Sequence, residues 1–79
     1  MFYYTYVLRS VKDNDLYVGY TPDLKTRLKS HNKGEVKATK GRRPLELIYY
    51  EACLIKEKAL KREKYFKTRF GRRFLKQRL

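Results

Sequence analysis

The chain of 79 residues has no tryptophan, one cysteine, one histidine, two prolines and only eight acidic side chains. Each shortage removes a class of protein. A lone thiol, Cys53, closes no internal disulfide, and its place after a strand-like run suits a small buried apolar residue. One histidine and one cysteine cannot furnish a zinc cluster, no glycine-rich phosphate loop is present, and the same inventory disfavours hydrolases built on a Ser-His-Asp triad or a His-rich metal site. No apolar run approaches the length of a membrane span. No N-terminal segment joins a charged start to an apolar stretch and a small-residue cleavage site, so a soluble, cytoplasmic protein is expected. Docking on a membrane surface is disfavoured too, because an interfacial helix wants a broad apolar face with Trp or Leu anchors, whereas the longest helical pattern here spends its apolar side chains on a core.

What is abundant is positive charge and aromatic surface. Lys and Arg number 21, for a formal net charge of +13, which makes a polyanion the first partner to consider and nucleic acid the first polyanion. The charge is uneven: Lys56 to Leu79 holds eleven basic residues against Glu57 and Glu63. Eight Tyr and four Phe argue for a folded chain rather than a disordered one. A domain of this size buries only about 60% of the surface its unfolded chain exposes, so the core must be small. Neither a repeat, a low-complexity tract nor a second domain interrupts residues 1–79, which read as one domain.

The run Phe2 to Leu8 is aromatic and β-branched and reads as a strand. Asp13-Asn14-Asp15 supplies a turn, and Leu16 to Tyr20 a second strand, giving a hairpin. Thr21-Pro22-Asp23 opens a helix, with Thr as a cap, Pro at the first helical position and Asp at the positive end of the dipole. That helix runs to about Asn32. At about 100° per residue, His31 and Arg27 share or border the inward face set by Leu24 and Leu28. A basic loop, expected to be mobile, spans Gly34 to Pro44. Leu45 to Glu51 reads as a third strand with Leu45, Leu47 and Tyr49 on one face and Glu46, Ile48 and Tyr50 on the other. A second helix begins near Leu54 or Ile55 without a clear cap and runs to about Phe70 before Gly71. Its apolar stripe of Ile55, Ala59, Phe66 and Phe70 contains a carboxylate, Glu63, and borders Arg62. Arg72 to Leu79 completes the chain as a short basic helix held by Phe74, Leu75 and Leu79. The fold class expected is α+β: a small three-stranded antiparallel sheet in β-β-α-β-α-α order, flanked by helices.

With the usual hydrolytic machinery disfavoured, Tyr, Arg, His31 and a few carboxylates remain. Cutting a phosphodiester needs a nucleophilic water, a base, positive charge at the developing phosphorane and help for the leaving oxygen. One Glu-bound metal, one Arg and one Tyr can supply these. Tyr4-Thr5-Tyr6 on the first strand, Tyr17-Val18-Gly19 on the second and the helix bearing Arg27 and His31 together resemble the GIY-YIG nuclease domain. The form is a small stand-alone one, similar to the nuclease domain of the bacterial excision-repair nuclease subunit. Beyond that helix, Asp23 to Asn32, two further stretches carry the resemblance across the chain: Arg42-Arg43-Pro44 ahead of Leu47 to Glu51, and Ala59 to Lys64. Two departures stand out. Only Tyr6 of the first motif is kept, and no Asn follows Asn32, where larger members place one near the active site.

The resemblance implies a metal-dependent endonuclease acting on DNA in repair or in processing of DNA structures. Glu63 would ligate one Mg²⁺ or Mn²⁺. Arg27 would contact the scissile phosphate. Tyr17 would act as base or orient the attacking water, with Tyr6 beside it, and the metal and Arg27 would have to depress the phenol pKa. His31 would shuttle a proton or bind phosphate. Plainer readings stand beside these: cross-strand packing for the two Tyr, a surface pair with Lys67 for Glu63, a satisfied buried imidazole for His31 and close backbone approach, without a chemical role, for Gly19. Lys37, Lys40, Arg42 and Arg43 in the loop, and Arg72, Arg73, Lys76 and Arg78 in the tail, would hold the backbone phosphates. DNA ranks before RNA, and substrate choice is left to DNA shape, a protein partner or a second copy of the chain. The competing functions are a non-catalytic nucleic-acid-binding module on the same scaffold and a small ribosome-like basic protein.

Overall fold

The computed structural model describes all 79 residues. Their order is β1 (Tyr3–Ser10), β2 (Leu16–Thr21), α1 (Leu24–Asn32), a 3-10 turn (Lys40–Arg42), β3 (Leu45–Cys53), α2 (Lys56–Phe66) and α3 (Arg69–Arg78). The strands form one antiparallel sheet in the order β2-β1-β3. This is the α+β arrangement the sequence implies. The central strand, covered on both faces, carries the longest buried run, Thr5 to Leu8. The hairpin turn places Asn14 at φ 62°, a left-handed conformation its short polar side chain tolerates, and the Asp13 carboxylate accepts from the Asp15 N–H at 2.9 Å.

Each face of the sheet buries a different helix set. Val7 and Val18 meet Phe66 of α2 and Leu75 of α3, while Tyr6, Leu8 and Leu45 meet Leu24 and Leu28 of α1. Phe66 and Leu75 are fully buried, and each contributes about 1.5–3 kcal/mol of hydrophobic stabilisation. On the face of Val7, the Thr5 hydroxyl donates to the Ala59 carbonyl at 2.7 Å and ties α2 to β1. No helix is long and apolar enough to cross a membrane.

The alternation expected along β3 breaks at Ile48. Val7 pairs with Tyr49 but Leu8 pairs with Leu47, so Ile48 is an extra residue in the ladder. Leu45 and Leu47 pack on the α1 face as expected, but Ile48 and Tyr49 both turn to the α2/α3 face. One bulge thus exchanges the faces assigned to Tyr49 and Tyr50.

Three helix boundaries also differ. Asp23, rather than Thr21, caps α1, accepting from the Thr26 N–H at 3.2 Å, and Pro22 lies outside the helix. The break between the last two helices falls at Lys67-Thr68 rather than at Gly71, so Phe70 belongs to α3. Thr68 accepts from the Gly71 N–H at 3.1 Å and caps α3, so Gly71 sits in the first turn of α3 rather than after α2. A side chain at Gly71 would overlap the Tyr65 carbonyl and approach the Phe66 Cα to 2.6 Å, which makes Gly71 the point where α2 and α3 touch. Phe70 therefore leaves the apolar stripe and is 68% exposed, and Leu79 is half exposed rather than an anchor.

Arg62 joins α2, α3 and β3. Its guanidinium lies 4.6 Å from the Phe66 ring centroid and 4.7 Å from that of Phe74, and it donates twice to Glu51 at 2.8 and 3.0 Å. The Tyr49 hydroxyl completes the group by donating to Glu51 at 2.7 Å. Cys53 is half-buried at the end of β3 rather than in the core, its Sγ donating to the Ile55 carbonyl.

Candidate functional site

Tyr6 and Gly19 face each other across β1 and β2. A Cβ at Gly19 would overlap Cζ and Oη of Tyr6 and lie 2.9 Å from its Cε2, so the phenol occupies the space a side chain would take. The glycine of the second motif is thus a molecular recess for the tyrosine of the first. It makes the close backbone approach expected of it, and what it approaches is the Tyr6 ring.

Lying across Gly19, the Tyr6 hydroxyl is the hub of the site. It is 2.8 Å from His31 Nε2 and accepts a longer bond, 3.4 Å, from Arg27 Nε. Both partners come from α1, one turn apart, which is the shared inward face read from the wheel. Tyr17 closes the group, its ring centroid 5.1 Å from that of His31 and 6.4 Å from that of Tyr6. Tyr6 and His31 are fully buried, whereas Tyr17 and Arg27 are half-buried and form the open rim.

The electrostatics separate the roles. Burial raises the Tyr6 pKa; the Arg27 hydrogen bond opposes that, and the charges of Tyr17 and Glu63 reinforce it. Tyr6 is therefore a protonated phenol at neutrality. Burial first, and the positive charge of Arg27 second, push His31 down to about 4, leaving a neutral imidazole at neutral pH. Arg27 is held protonated, chiefly by its bond to Tyr6. It has no carboxylate partner: the four ion pairs use Arg9, Arg42, Arg62 and Lys67. A half-exposed guanidinium fixed by a phenol and unpaired with any acid is available to an anion.

Glu63 stands on α2, and its charge is the smallest of the influences that raise the Tyr6 pKa. Its side chain is 20% exposed and accepts from Lys67 Nζ at 3.1 Å, the i,i+4 pair the sequence also allowed. Such a pair is worth only about 0.3–0.5 kcal/mol, and Lys67 is more than half exposed, so the carboxylate can exchange it for another cation at small cost. No group of three or more His, Cys, Asp or Glu gathers anywhere in the chain. One carboxylate with open surroundings fits Mg²⁺ or Mn²⁺, hard ions that take most of their ligands from water and phosphate, and does not fit zinc.

The basic residues divide. Arg72, Arg73 and Lys76 join Arg69 around a concavity of about 420 Å³ on α3. Lys40 and Arg43 join Lys12 and Asn32 around a second, of about 460 Å³. Lys37 is exposed. Arg42, in contrast, is spent on the fold, donating to Asp13 at 2.8 and 3.3 Å, and Arg78 stacks on Phe74, 4.6 Å from its centroid. The loop expected to be mobile is tied down. Ser10 donates to the Arg42 carbonyl at 2.6 Å, the Asn32 side chain bonds both the N–H and the carbonyl of Leu45, and Thr39 is fully buried 2.7 Å from His31 Nδ1. Sequence reasoning missed Thr39, because nothing in the spacing of a threonine within a Lys-rich loop reports a contact with a helix eight residues earlier.

A hairpin whose second strand seats the tyrosine of the first, followed by a helix presenting Arg and His and another presenting Glu, defines a GIY-YIG catalytic domain. The model of that family matches residues 2–77, and the chain belongs to this nuclease family. Among relatives, it is 48% identical over 67 residues to a UPF0213 protein of Bacillus pumilus, covering 84% of this chain and 67% of that one. It is 51% identical over 67 residues to a UPF0213 protein of Streptococcus pyogenes, covering 84% and 72%. The solution NMR structure of the UPF0213 protein from Bacillus halodurans superposes with a TM-score of 0.60 at 36% identity, covering 98% of this chain and 84% of that one.

Proposed function

We infer that the protein is a divalent-metal-dependent endonuclease that hydrolyses phosphodiester bonds in DNA, acting in repair or in processing of DNA structures. The observation that carries the reading is the Tyr6 hydroxyl, held between a neutral histidine and an unpaired arginine within the field of Glu63.

Arg27 binds the scissile phosphate, its planar donors matching two oxygens. Tyr17, on the rim, orients the attacking water. Tyr6, buried behind it, passes a proton inward: as its oxygen takes a proton handed on from the water through the Tyr17 hydroxyl, its own hydrogen moves to His31 Nε2 across the 2.8 Å bond. The imidazole is poised for this because it is neutral. An anionic phosphate beside Arg27 offsets the positive charge that holds His31 down, so substrate raises the proton affinity of the imidazole when the proton arrives. Glu63 would hold one Mg²⁺ or Mn²⁺, which when bound supplies positive charge at the phosphoryl oxygens. The concavities lined by Lys40 and Arg43 and by Arg69, Arg72, Arg73 and Lys76 bind backbone phosphates and position the duplex without reading its sequence.

Purified protein incubated with supercoiled plasmid and Mg²⁺ or Mn²⁺ should nick it. Activity should vanish with chelator and in Glu63→Gln, with plasmid binding intact. Cleavage that persists in Glu63→Gln rejects the metal site. Salt-sensitive binding with no cleavage of branched, nicked, single-stranded or RNA substrates establishes the alternative, a non-catalytic nucleic-acid-binding module.

A further inference from the structure

We propose that Thr39 is a positioning residue that fixes His31 as the tautomer carrying hydrogen on Nδ1, so that Nε2 presents a bare lone pair to Tyr6.

The inference comes from counting hydrogens in a closed space. Thr39 and His31 are fully buried and Tyr6 is 1% exposed, so bulk water does not serve these groups. Four polar groups lie in line: the Arg27 guanidinium, the Tyr6 hydroxyl, the His31 ring and the Thr39 hydroxyl, the last two joined at 2.7 Å. Arginine only donates. The Tyr6 hydrogen therefore cannot go to Arg27, and the acceptor it has is His31 Nε2. A neutral imidazole with Nε2 bare must carry its hydrogen on Nδ1, which donates to Thr39 Oγ1. The Thr39 hydrogen then turns to the Val36 carbonyl at 3.5 Å. In this assignment every hydrogen has an acceptor. In the other, Thr39 donates to Nδ1, Nε2–H points at an oxygen already receiving Arg27, and the buried Tyr6 hydroxyl hydrogen has no partner, an arrangement buried polar groups avoid.

The alternative a threonine offers is what makes it suitable. A hydroxyl can accept from the ring because it has a carbonyl of its own turn to donate to. The 3-10 turn that follows Thr39, together with the Ser10 and Asn32 bonds flanking the loop, holds it in place. The functional consequence rests on the nuclease reading: only a bare Nε2 can take the Tyr6 proton during hydrolysis. The tautomer itself does not depend on that reading.

The chain has one histidine, so in ¹⁵N-labelled protein every imidazole signal belongs to residue 31. Two-bond ¹H–¹⁵N correlation at neutral pH should show the Nδ1–H tautomer in the wild type and a shift toward Nε2–H in Thr39→Val. In plasmid nicking, Thr39→Val should lower kcat by about a hundredfold with KM changed less than twofold, and Thr39→Ser should recover both tautomer and rate. A wild type carrying hydrogen on Nε2, or a Thr39→Val protein that keeps the Nδ1–H form, overturns the assignment. Should Thr39→Val fail to fold, the wild-type and Thr39→Ser spectra still decide it. A wild type with the Nδ1–H form that cleaves no nucleic acid upholds the positioning of His31 and rejects the nuclease reading.

Discussion

Acidification should destabilise the protein through His31 before any carboxylate takes part. The imidazole is fully buried, and its pKa falls from the ordinary 6.5 to about 4 because burial, and secondarily the Arg27 charge, disfavour the protonated form. Between those two values the unfolded chain binds a proton that the folded one refuses, so stability is whole above 6.5 and declines as pH falls toward 4. A shift of this size corresponds to about 3 kcal/mol in all, of which about 2 kcal/mol is lost between pH 7 and pH 5. For a domain this small that is a large share of the total. Asp13, Asp23 and Glu51 have lowered pKa values and also lose stabilisation in acid, but only as pH approaches the unfolded carboxylate range near 4, so the window above pH 5 belongs to the histidine. Urea denaturation at several pH values between 7.5 and 5 measures the slope. His31→Gln, which keeps a polar side chain but cannot titrate, should flatten it. A wild-type stability constant across this range, or an equal slope in His31→Gln, would refute the burial argument and with it the neutral imidazole on which the proton relay depends.

Gly19→Ala should displace the Tyr6 ring, break its bond to His31, cost about 1–3 kcal/mol by overpacking and lower kcat by about a hundredfold. Thermal unfolding and plasmid nicking measure the two effects, and a stable, fully active Gly19→Ala would show that Tyr6 does not need the recess. Arg62→Ala leaves Glu51 without its guanidinium and uncovers the Phe66 and Phe74 rings, so it should destabilise by about 2 kcal/mol in denaturant titration while leaving metal-dependent nicking of the folded fraction intact.

Local chemistry made much of this molecule legible in advance. Aromatic and β-branched runs marked the strands, Asp13 to Asp15 marked the hairpin turn, and a 3.6-residue period put Arg27 and His31 on the face of α1 that meets the sheet. These are short-range properties, and the residues that set them are neighbours in the chain. The resemblance in four ordered segments added the family, because a common site requires that order. Other features belong to distant partners and could be decided only in three dimensions. The bulge at Ile48 arises from how β3 pairs with β1, so no alternation within β3 alone could place Tyr49. Gly71 looked like a helix stop because glycine often is one, yet here its missing side chain admits the Tyr65 backbone. Arg42 and Arg43 are adjacent and alike in sequence, but only Arg42 meets Asp13, 29 residues away. The protonation states at the centre, a protonated Tyr6 and a neutral His31, follow from burial and from the placement of Arg27, quantities that exist only once the chain has folded.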